Sequence, residues 1–567
     1  MLARFLLAFA LLLGACATQA DPAAPAAASE ARGAVSSADP RATEAGVEML
    51  RAGGTAADAA FATMLALTVV EPQSSGIGGG GFLLYHDQAR GRISSYDGRE
   101  TAPHAATPAY FLGPDGRPRP RGDSIPGGLS VGVPGNIRLM ELAHERHGRL
   151  AWARLFEPAI RLARDGFAIT PRMYRALASP QALARMTPWG QAQYYQEDGQ
   201  PRPVGTVVRN PELAALFAQL GARGPEAFYT GPAATALVAA VRGAARNPSP
   251  MTRDDLATYQ AKERPILCGA YRGYRICGMG PPSSGATTVF AILKQLERFD
   301  LRALGPNDPR AWHLIAESMR LAYADRDAYL GDPDFVAVPV AGLMHPDYLG
   351  RRSALISPDR AIAHVEAGMP PGAPARTAAQ AEEVPSTSHF VAVDAAGNVA
   401  SYTSTIEGPW GSGLTVNGHF LNNELTDFSF APEENGAPVA NRVEGGKRPR
   451  SSMSPTIVYA PDGTVRIAVG AAGGTTIIAQ VAKALIGVID WDLSAQQAIA
   501  LPQILGIGDR VMIERGTALE AMAPALQAFG QQVVPVEPGY KANALERVAG
   551  RWIGAADPRS EGAWLAQ

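Results

Sequence analysis

The sequence changes abruptly near residue 387, from an irregular polar segment to alternating apolar residues. Residues 357–386 are rich in Ala, Pro and charged side chains and have little periodicity, which predicts a mobile connector. Residues 389–403 then form two alternating apolar runs around a Gly-Asn turn, which predicts a β-hairpin. A connector that ends abruptly at a rigid strand is the expected setting for a strained or processed peptide bond.

Thr387 stands at this junction. A threonine hydroxyl is a weak nucleophile alone, but a cut before Thr387 would free its α-amine, whose intrinsic pKa of about 8 suits a base. A hairpin turn centred near residues 396 and 397 places Thr405 within one residue of opposite Thr387, where their hydroxyls can hydrogen-bond. The alternative is that both threonines merely favour strands.

The chain begins with a pattern typical of exported proteins. Residues 1–15 contain Arg4 and nine consecutive apolar residues, too few for a membrane-spanning helix but enough for a signal peptide. The Leu-Gly-Ala-Cys ending at Cys16 resembles the bacterial lipobox and predicts lipidation, hence an outer-membrane lipoprotein. The alternative is simple cleavage near Ala20. Either reading predicts export to the periplasm, with the Ala- and Pro-rich residues 16–32 as a flexible tether.

Composition and two weak motifs exclude several functions. The chain has 51 Lys and Arg against 53 Asp and Glu, so no positive field favours nucleic acid or an anionic membrane. His144 and His147 lie at i and i+3 without an obvious third ligand, so no metal site is predicted. The glycine run 76–81 precedes an apolar strand instead of opening a helix, which argues for close backbone packing and against a dinucleotide cofactor.

The two cysteines in the middle of the chain fit a hairpin. A two-residue turn at Arg272-Gly273 pairs Cys268 directly with Cys277 at a non-hydrogen-bonded position, within reach of a disulfide. Export would permit this bond. The alternative is two buried free thiols.

A series of motifs resembles the gamma-glutamyltransferase family in order and spacing, over about residues 33–567. After the junction they are Thr387-Ser388-His389, Asn422-Asn423-x-x-x-Asp427, Lys447-Arg-Pro-x-Ser451-Ser452, Gly473-Gly474 and Asp557-Pro-Arg-Ser560. Before it they are Glu71-Pro-x-Ser-Ser-Gly76, Gly78-Gly-Gly-Gly81, Arg99-Glu-x-Ala-Pro103 and Pro281-Pro-Ser-Ser-Gly285.

The resemblance implies an α/β fold, the four-layer αββα sandwich of N-terminal nucleophile hydrolases. It further implies cleavage between Ser386 and Thr387, so that a large subunit (33–386) and a small subunit (387–567) form a heterodimer from one precursor. Thr387 would be the nucleophile, supported by Thr405. The family's oxyanion hole matches Gly473-Gly474, where backbone N–H groups at a turn opening a helix suit developing negative charge.

The implied substrates are γ-glutamyl amides such as glutathione, with water, amino acids or dipeptides as acceptors and no cofactor. Such substrates carry an α-carboxylate and an α-ammonium far from the scissile bond. The family's carboxylate ligands match Arg99, Ser451 and Ser452, and an arginine fork suits a carboxylate. Its ammonium ligands match Glu424 and Asp427.

Two departures from the family pattern leave other functions open. The resemblance also implies a substrate-binding role for Glu407, because many members have an asparagine at this position that helps to hold the substrate amine. A glutamate there makes the ammonium pocket more acidic, or its own pKa is raised beside Glu424 and Asp427. Residues 430–450 are shorter than in many transferases and lack a covering tyrosine, which predicts a more open site. A glutaryl-type acylase acting on cephalosporin side chains is one alternative. A catalytically idle, lipid-anchored γ-glutamyl peptide-binding protein is the other.

Overall fold

The computed structural model describes residues 33–374, 386–537 and 539–567. The predicted signal peptide (1–15), the lipidation site Cys16, the tether (16–32) and residues 375–385 of the connector lie outside the described residues. None of the helices in the described ranges combines the length and apolar character that a bilayer span requires.

The strands of the described residues are, in chain order, β1 (Ala34–Ser37), β2 (Gly80–Asp87), β3 (Arg92–Gly98), β4 (Phe167–Ala168), β5 (Val207–Val208), β6 (Lys262–Arg264), β7 (Ile266–Tyr271), β8 (Tyr274–Met279), β9 (Ser388–Val393), β10 (Val399–Thr405), β11 (Thr415–Val416), β12 (His419–Phe420), β13 (Glu433–Glu434), β14 (Ala437–Pro438), β15 (Thr456–Tyr459), β16 (Val465–Ala472), β17 (Ile504–Ile507), β18 (Arg510–Glu514), β19 (Gln532–Val536), β20 (Lys541–Val548), β21 (Arg551–Ala556) and β22 (Ala563–Ala566).

The α-helices of the described residues are α1 (Pro40–Arg51), α2 (Ala56–Val70), α3 (Arg121–Ser124), α4 (Asn136–His147), α5 (Glu157–Asp165), α6 (Pro171–Ala178), α7 (Pro188–Tyr194), α8 (Pro211–Arg223), α9 (Glu226–Tyr229), α10 (Gly231–Arg242), α11 (Arg253–Ala257), α12 (Gly285–Leu296), α13 (Leu301–Leu304), α14 (Pro309–Tyr329), α15 (Val340–Leu343), α16 (Pro346–Ala354), α17 (Thr476–Ile489), α18 (Ala495–Ala500), α19 (Ala518–Ala521) and α20 (Ala523–Ala528).

Two antiparallel sheets form the centre of the molecule. The first has the strand order β22-β1-β9-β10-β2-β3-β6, and the second has the order β21-β20-β16-β15-β8-β7. They pack face to face, with β9 and β10 against β16 and β20. Helices α1, α2 and α4 cover the outer face of the first sheet, and α12, α17 and α18 cover that of the second. This confirms the expected four-layer αββα sandwich.

Strand β9 shows why the sequence adopts this arrangement. Successive side chains of a strand point to opposite faces. Phe390 and Ala392 therefore pack in the core beneath α1 and α2, whereas Val391 and Val393 pack in the core shared with the second sheet. A strand buried on both faces is apolar at each of these positions, and it holds the residue before it in a fixed place.

Both sheets combine strands from before and after residue 387. In the first sheet, β9 lies between β1 and β10, and β10 lies between β9 and β2. In the second sheet, β15 pairs with β8. A cut at residue 387 would therefore leave the two segments joined by sheet hydrogen bonds and by shared cores.

Part of the predicted mobile connector, within residues 357–374, is hydrogen-bonded to the body of the protein. The N–H of Ile362 donates to the Glu317 carboxylate on α14 over 2.7 Å. The N–H of Gly368 donates to the Asp325 carboxylate, also over 2.7 Å. The low periodicity of this segment corresponds to its lack of helices and strands. Carboxylates of α14 instead accept hydrogen bonds from its backbone N–H groups.

The glycine run has the packing role that its context indicates. A Cβ atom on Gly78 would lie 2.0 Å from the carbonyl oxygen of Phe420, and one on Gly79 would lie 2.0 Å from that of Thr405. Any side chain would push these backbones apart. The run thus lets the start of β2 approach the end of β10, beside Thr405.

The two predicted hairpins have the expected registers. In the β9–β10 hairpin, Ser388 pairs with Ser404, so one further step places Thr387 opposite Thr405. In the β7–β8 hairpin, Cys268 pairs directly with Cys277, and the two form a disulfide with an S–S distance of 2.06 Å.

Candidate active site

Thr387 is held in a strained backbone conformation immediately before β9. Its φ angle is 102°, a region that β-branched residues avoid and that costs of order 1–3 kcal/mol. Its N–H donates to the carbonyl oxygen of Ser74 over 3.2 Å, and the Ser386 hydroxyl donates to that of Gln73 over 2.9 Å. The surrounding structure therefore fixes the Ser386–Thr387 peptide bond in place despite the strain.

The hydroxyl of Thr387 is directed at Thr405. Their Oγ1 atoms lie 3.0 Å apart, with Thr387 as donor. Thr405 Oγ1 also accepts the backbone N–H of Glu407 over 2.7 Å. Both threonine side chains are buried, so these bonds are shielded from competing water and fix the orientation of the Thr387 hydroxyl.

We expect Thr405→Val to slow cleavage before Thr387 by about tenfold or more, because the variant loses the hydrogen bonds from the Thr387 hydroxyl and the Glu407 N–H. Each lost hydrogen bond in a buried site costs roughly 1–2 kcal/mol. Freshly purified precursor, followed by gel electrophoresis over time, gives the rate. Thr403→Val is the matched control, since the Thr403 hydroxyl contacts His389 over 2.9 Å and lies two residues away on the same strand. Equal rates in the two variants would contradict a specific role for Thr405.

The turn that opens α17 faces the carbonyl group of Ser386. The N–H of Gly473 donates to the Ser386 carbonyl oxygen over 3.1 Å. Gly473 and Gly474 have φ angles of 135° and 57°, and a Cβ atom on Gly473 would lie 2.5 Å from the Thr476 hydroxyl oxygen. Glycine is therefore required for the turn, and the turn directs a donor at the Ser386 carbonyl oxygen, where an attack on that carbonyl would develop negative charge.

The predicted carboxylate and ammonium ligands meet in one place. Arg99 pairs with Glu424, and it pairs with Asp427 over 2.6 Å. Its remaining donors reach the carbonyl oxygens of Pro449 over 3.1 Å and Arg450 over 2.8 Å. Glu424 and Asp427 stand on one short 3₁₀ helix. Arg99 thus pairs with the two carboxylates at the place where the sequence predicts binding of a substrate carboxylate and ammonium group.

A second cation, Arg121, was not predicted from the sequence. Its guanidinium group lies 3.2 Å from the Glu407 carboxylate and 3.5 Å from that of Asp427. The Asn423 side chain also donates to Glu407, over 2.6 Å. Glu407 therefore has a counter-charge of its own. Arg121 lies in the short polar helix α3, where no motif or periodicity marks it.

The two adjacent serines differ in their surroundings. Ser451 lines the cavity in front of Thr387, and its carbonyl oxygen accepts both the N–H and the hydroxyl of Ser284 over 2.7 Å. Ser452 is not among the residues that line this cavity, and its hydroxyl accepts a hydrogen bond from Arg326 over 2.6 Å. Ser451 is thus placed to meet a ligand directly, whereas Ser452 joins the buried network behind it.

Most of the predicted site residues surround one small cavity. It has a volume of about 10 Å³, which is about the space of one water molecule. The residues lining the cavity are Arg99, Thr387, Thr405, Glu407, Glu424, Asp427, Ser451, Met453, Gly474 and Ile477.

The charge around the cavity is unbalanced. Glu424, Asp427 and Glu407 face the guanidinium groups of Arg99 and Arg121. Neighbouring Glu100 adds little negative charge near pH 7, because burial raises its pKa to about 8. Among the described side chains at this site, three carboxylates thus face two guanidinium groups, which favours a ligand with a cationic group.

No group of three or more His, Cys, Asp or Glu side chains placed to hold a metal occurs within residues 33–374, 386–537 and 539–567. The two histidines of α4 make other contacts. His144 Nε2 lies 2.9 Å from the carbonyl oxygen of Leu150, and His147 Nε2 lies 2.6 Å from the Tyr96 hydroxyl.

Comparison with known proteins points to one family. The family model for gamma-glutamyltranspeptidase matches residues 42–566. A glutathione hydrolase proenzyme of Bacillus subtilis is 37% identical over 83% of this chain and 80% of its own length. One of Escherichia coli is 34% identical over 93% of this chain and 90% of its own. The structure of a cephalosporin acylase from Bacillus halodurans matches with a TM-score of 0.83 at 25% identity, covering 94% of this chain and 96% of that one.

Proposed function

The chain belongs to the gamma-glutamyltranspeptidase family, and on that basis we propose that it is a glutathione hydrolase proenzyme activated by cleavage between Ser386 and Thr387. The observation that carries this proposal is the geometry of that peptide bond. Thr387 is strained at φ 102°, its hydroxyl contacts Thr405 over 3.0 Å, and the Gly473 N–H contacts the Ser386 carbonyl oxygen over 3.1 Å.

Self-cleavage would start with attack of Thr387 Oγ1 on the carbonyl carbon of Ser386. The C–O bond forms, the peptide C–N bond breaks, and the hydroxyl proton passes to the leaving nitrogen, which becomes the α-amine of Thr387. The Gly473 N–H stabilises the oxyanion. Water then hydrolyses the Ser386 ester, which leaves a carboxylate on Ser386 and restores the Thr387 hydroxyl. Release of the backbone strain at Thr387 favours the reaction.

The same groups would then act on the substrate. The α-amine of Thr387 takes the hydroxyl proton while Oγ1 attacks the γ-carbonyl carbon of the donor. The N–H groups of Gly473 and Gly474 stabilise the oxyanion, and the protonated amine gives its proton to the leaving amine. A γ-glutamyl ester of Thr387 remains. Water resolves it to glutamate, or the amine of an amino acid or dipeptide resolves it to a new γ-glutamyl amide.

The far end of the donor would enter the charged cluster. Its α-carboxylate replaces Glu424 and Asp427 on Arg99, with help from Ser451, and its α-ammonium joins the carboxylates that Arg99 gives up. The excess of carboxylates over guanidinium groups at this site supports the assignment. Removal of Ser386 from its place beside Gly473 would supply space that the uncut chain lacks.

A glutaryl acylase is the second candidate function, because the chain is also similar to a cephalosporin acylase. The α-ammonium group of the donor distinguishes a γ-glutamyltransferase from such an acylase. A glutaryl donor has the carboxylate but lacks the ammonium group. We expect Asp427→Asn to lower kcat/KM for γ-glutamyl-p-nitroanilide about 50-fold, because a charged hydrogen bond is worth roughly 1.5–3 kcal/mol. The same variant should change kcat/KM for glutaryl-p-nitroanilide less than about threefold, because no charged partner is lost.

Asp334→Asn serves as the control, since Asp334 pairs with Lys262 and Arg264 away from the cavity. An equal loss with both donors would mean that Asp427 acts only by holding Arg99. A wild-type preference for the glutaryl donor would favour the acylase.

We also propose that the mature protein is an exported heterodimer, whose large subunit contains residues 33–386 and whose small subunit is residues 387–567. The disulfide between Cys268 and Cys277 supports an oxidising compartment, and the leader pattern of residues 1–15 supports export. We further propose that Cys16 is lipidated. Mass spectrometry of the N-terminal peptide from membrane fractions tests it: a diacylglyceryl mass on Cys16 supports an anchor, and an unmodified N-terminus near Ala20 contradicts it.

Release of glutamate from glutathione by the purified protein tests the function directly. We expect hydrolysis by cleaved protein and none by a preparation that is still uncut. Hydrolysis that does not depend on cleavage would overturn the proposed activation step.

A further inference from the structure

A buried ion pair contacts residues next to Thr387, and neither of its members lines the substrate cavity. Lys541, the first residue of β20, places Nζ 2.6 Å from the Glu71 carboxylate. The same ammonium group lies 3.2 Å from the Ser74 hydroxyl and 3.2 Å from the Ser388 hydroxyl. The side chains of Lys541 and Glu71 are 1% and 4% exposed, so water screens this charge very little.

These contacts flank the nitrogen that would become the α-amine. Ser388 follows Thr387 in the chain, and its hydroxyl donates to Glu71 over 2.7 Å. Ser74 accepts the Thr387 N–H on its carbonyl oxygen over 3.2 Å. Lys541 thus contacts both the residue that follows Thr387 and the residue that accepts the Thr387 N–H. It also pairs with Ala472 across the second sheet, next to Gly473.

Other charges surround this group. Arg172 on α6 lies 3.5 Å from the second oxygen of Glu71, and Asp39 is close enough to favour the charged form of Lys541. Burial outweighs these carboxylates and lowers the pKa of Lys541 to about 8. The charged groups on the cavity side of Thr387 are Arg99, Arg121, Glu407, Glu424 and Asp427.

We propose that Lys541 is a positioning residue that keeps the α-amine of Thr387 unprotonated near neutral pH. The inference rests on the proposed role of Thr387 as an N-terminal nucleophile. A buried ammonium group disfavours a second positive charge beside it, so it lowers the pKa of the α-amine. Its hydrogen bonds to the Ser74 and Ser388 hydroxyls hold these two residues in place next to Thr387.

The sign of the effect can be measured. The acid limb of kcat/KM against pH reports the pKa of the base in the free enzyme. Lys541 carries its charge below about pH 8, where this limb lies, so its removal should raise the pKa of the α-amine. We expect Lys541→Met to move the acid limb up by about one pH unit, as a nearby charge of low exposure does.

Two further variants separate this role from a structural one. Lys541→Met/Glu71→Gln removes both charges and should bring the acid limb back toward the wild-type position, because Glu71 alone stabilises an ammonium group. Lys483→Met is the matched control: Lys483 is also buried, with its Nζ on the carbonyl oxygens of Ile499 and Leu501 over 3.0 and 2.7 Å. It should leave the limb unchanged.

Cleavage is measured on each sample by intact mass, and pH profiles are taken only from fully cleaved enzyme. An unchanged acid limb in cleaved Lys541→Met overturns the inference. So does failure of both Lys541 variants to cleave, since Lys541 would then serve folding or maturation. An inactive or uncut wild-type protein in the same series would instead refute the proposed function on which the inference rests.

Discussion

Thr387→Ala is expected to leave the protein as one uncut chain and to lower glutathione hydrolysis by more than about a thousandfold, as removal of a nucleophile does. Alanine keeps a Cβ atom, so the backbone at this position stays strained. The variant lacks the hydroxyl that would attack Ser386, together with the γ-methyl group. Denaturing gel electrophoresis and an assay for released glutamate measure the two effects.

Two companion variants make this test specific. Thr387→Ser keeps a hydroxyl and an α-amine, so it should cleave and retain part of the activity. Thr403→Ala removes a buried threonine hydroxyl from the neighbouring strand and should cleave normally. A Thr387→Ala protein that still separates into two chains at residue 387 would show that another group performs the attack.

Arg99→Lys is expected to lower kcat/KM about 100-fold for γ-glutamyl and glutaryl donors alike, which corresponds to about 2.7 kcal/mol. Lysine keeps the charge but cannot form two parallel hydrogen bonds with a carboxylate. Most of the loss should appear in KM, because the carboxylate is bound equally in ground state and transition state. Initial rates over a range of donor concentrations separate kcat from KM.

Arg264→Lys is the matched control for this substitution. Arg264 is also largely buried and pairs with Asp97 over 3.0 Å and with Asp334 over 2.7 Å, but it does not line the cavity. Arg264→Lys should keep kcat and KM near the wild-type values. Any change that it does show measures the general effect of replacing a buried arginine by lysine. A normal KM in Arg99→Lys would contradict the carboxylate assignment.

Local pattern predicted much of the fold. The apolar periodicity of residues 56–69 predicts a helix, and α2 spans Ala56–Val70. The hairpin from β9 to β10 and its register follow from alternation and one turn. These features depend on residues close in the chain, so the sequence alone contains what determines them.

Contacts between distant parts of the chain could not be predicted in this way. Arg121 and Glu407 are 286 residues apart, and Lys541 and Glu71 are 470 apart. No local motif marks Arg121 or Lys541, and only the tertiary fold brings each beside its partner. Arg99 and Asp427 also meet across a long separation, but the family resemblance had marked both.

The conformation of Thr387 is a third feature that the sequence does not reveal. A threonine at the start of a strand favours extended φ and ψ angles, whereas the observed φ is 102°. The contacts of Ser386 and Thr387 with Gln73, Ser74 and Gly473 override that preference. Local propensity and tertiary structure disagree here, at the peptide bond that we propose is cut.

Intact mass and N-terminal sequencing of the purified wild-type protein show directly whether the chain is cut before Thr387. We expect two chains that remain associated, the smaller one beginning Thr387-Ser388-His389, and glutathione hydrolysis that appears as this cleavage proceeds. A single chain with full activity, or an active small chain that begins at another residue, would contradict it.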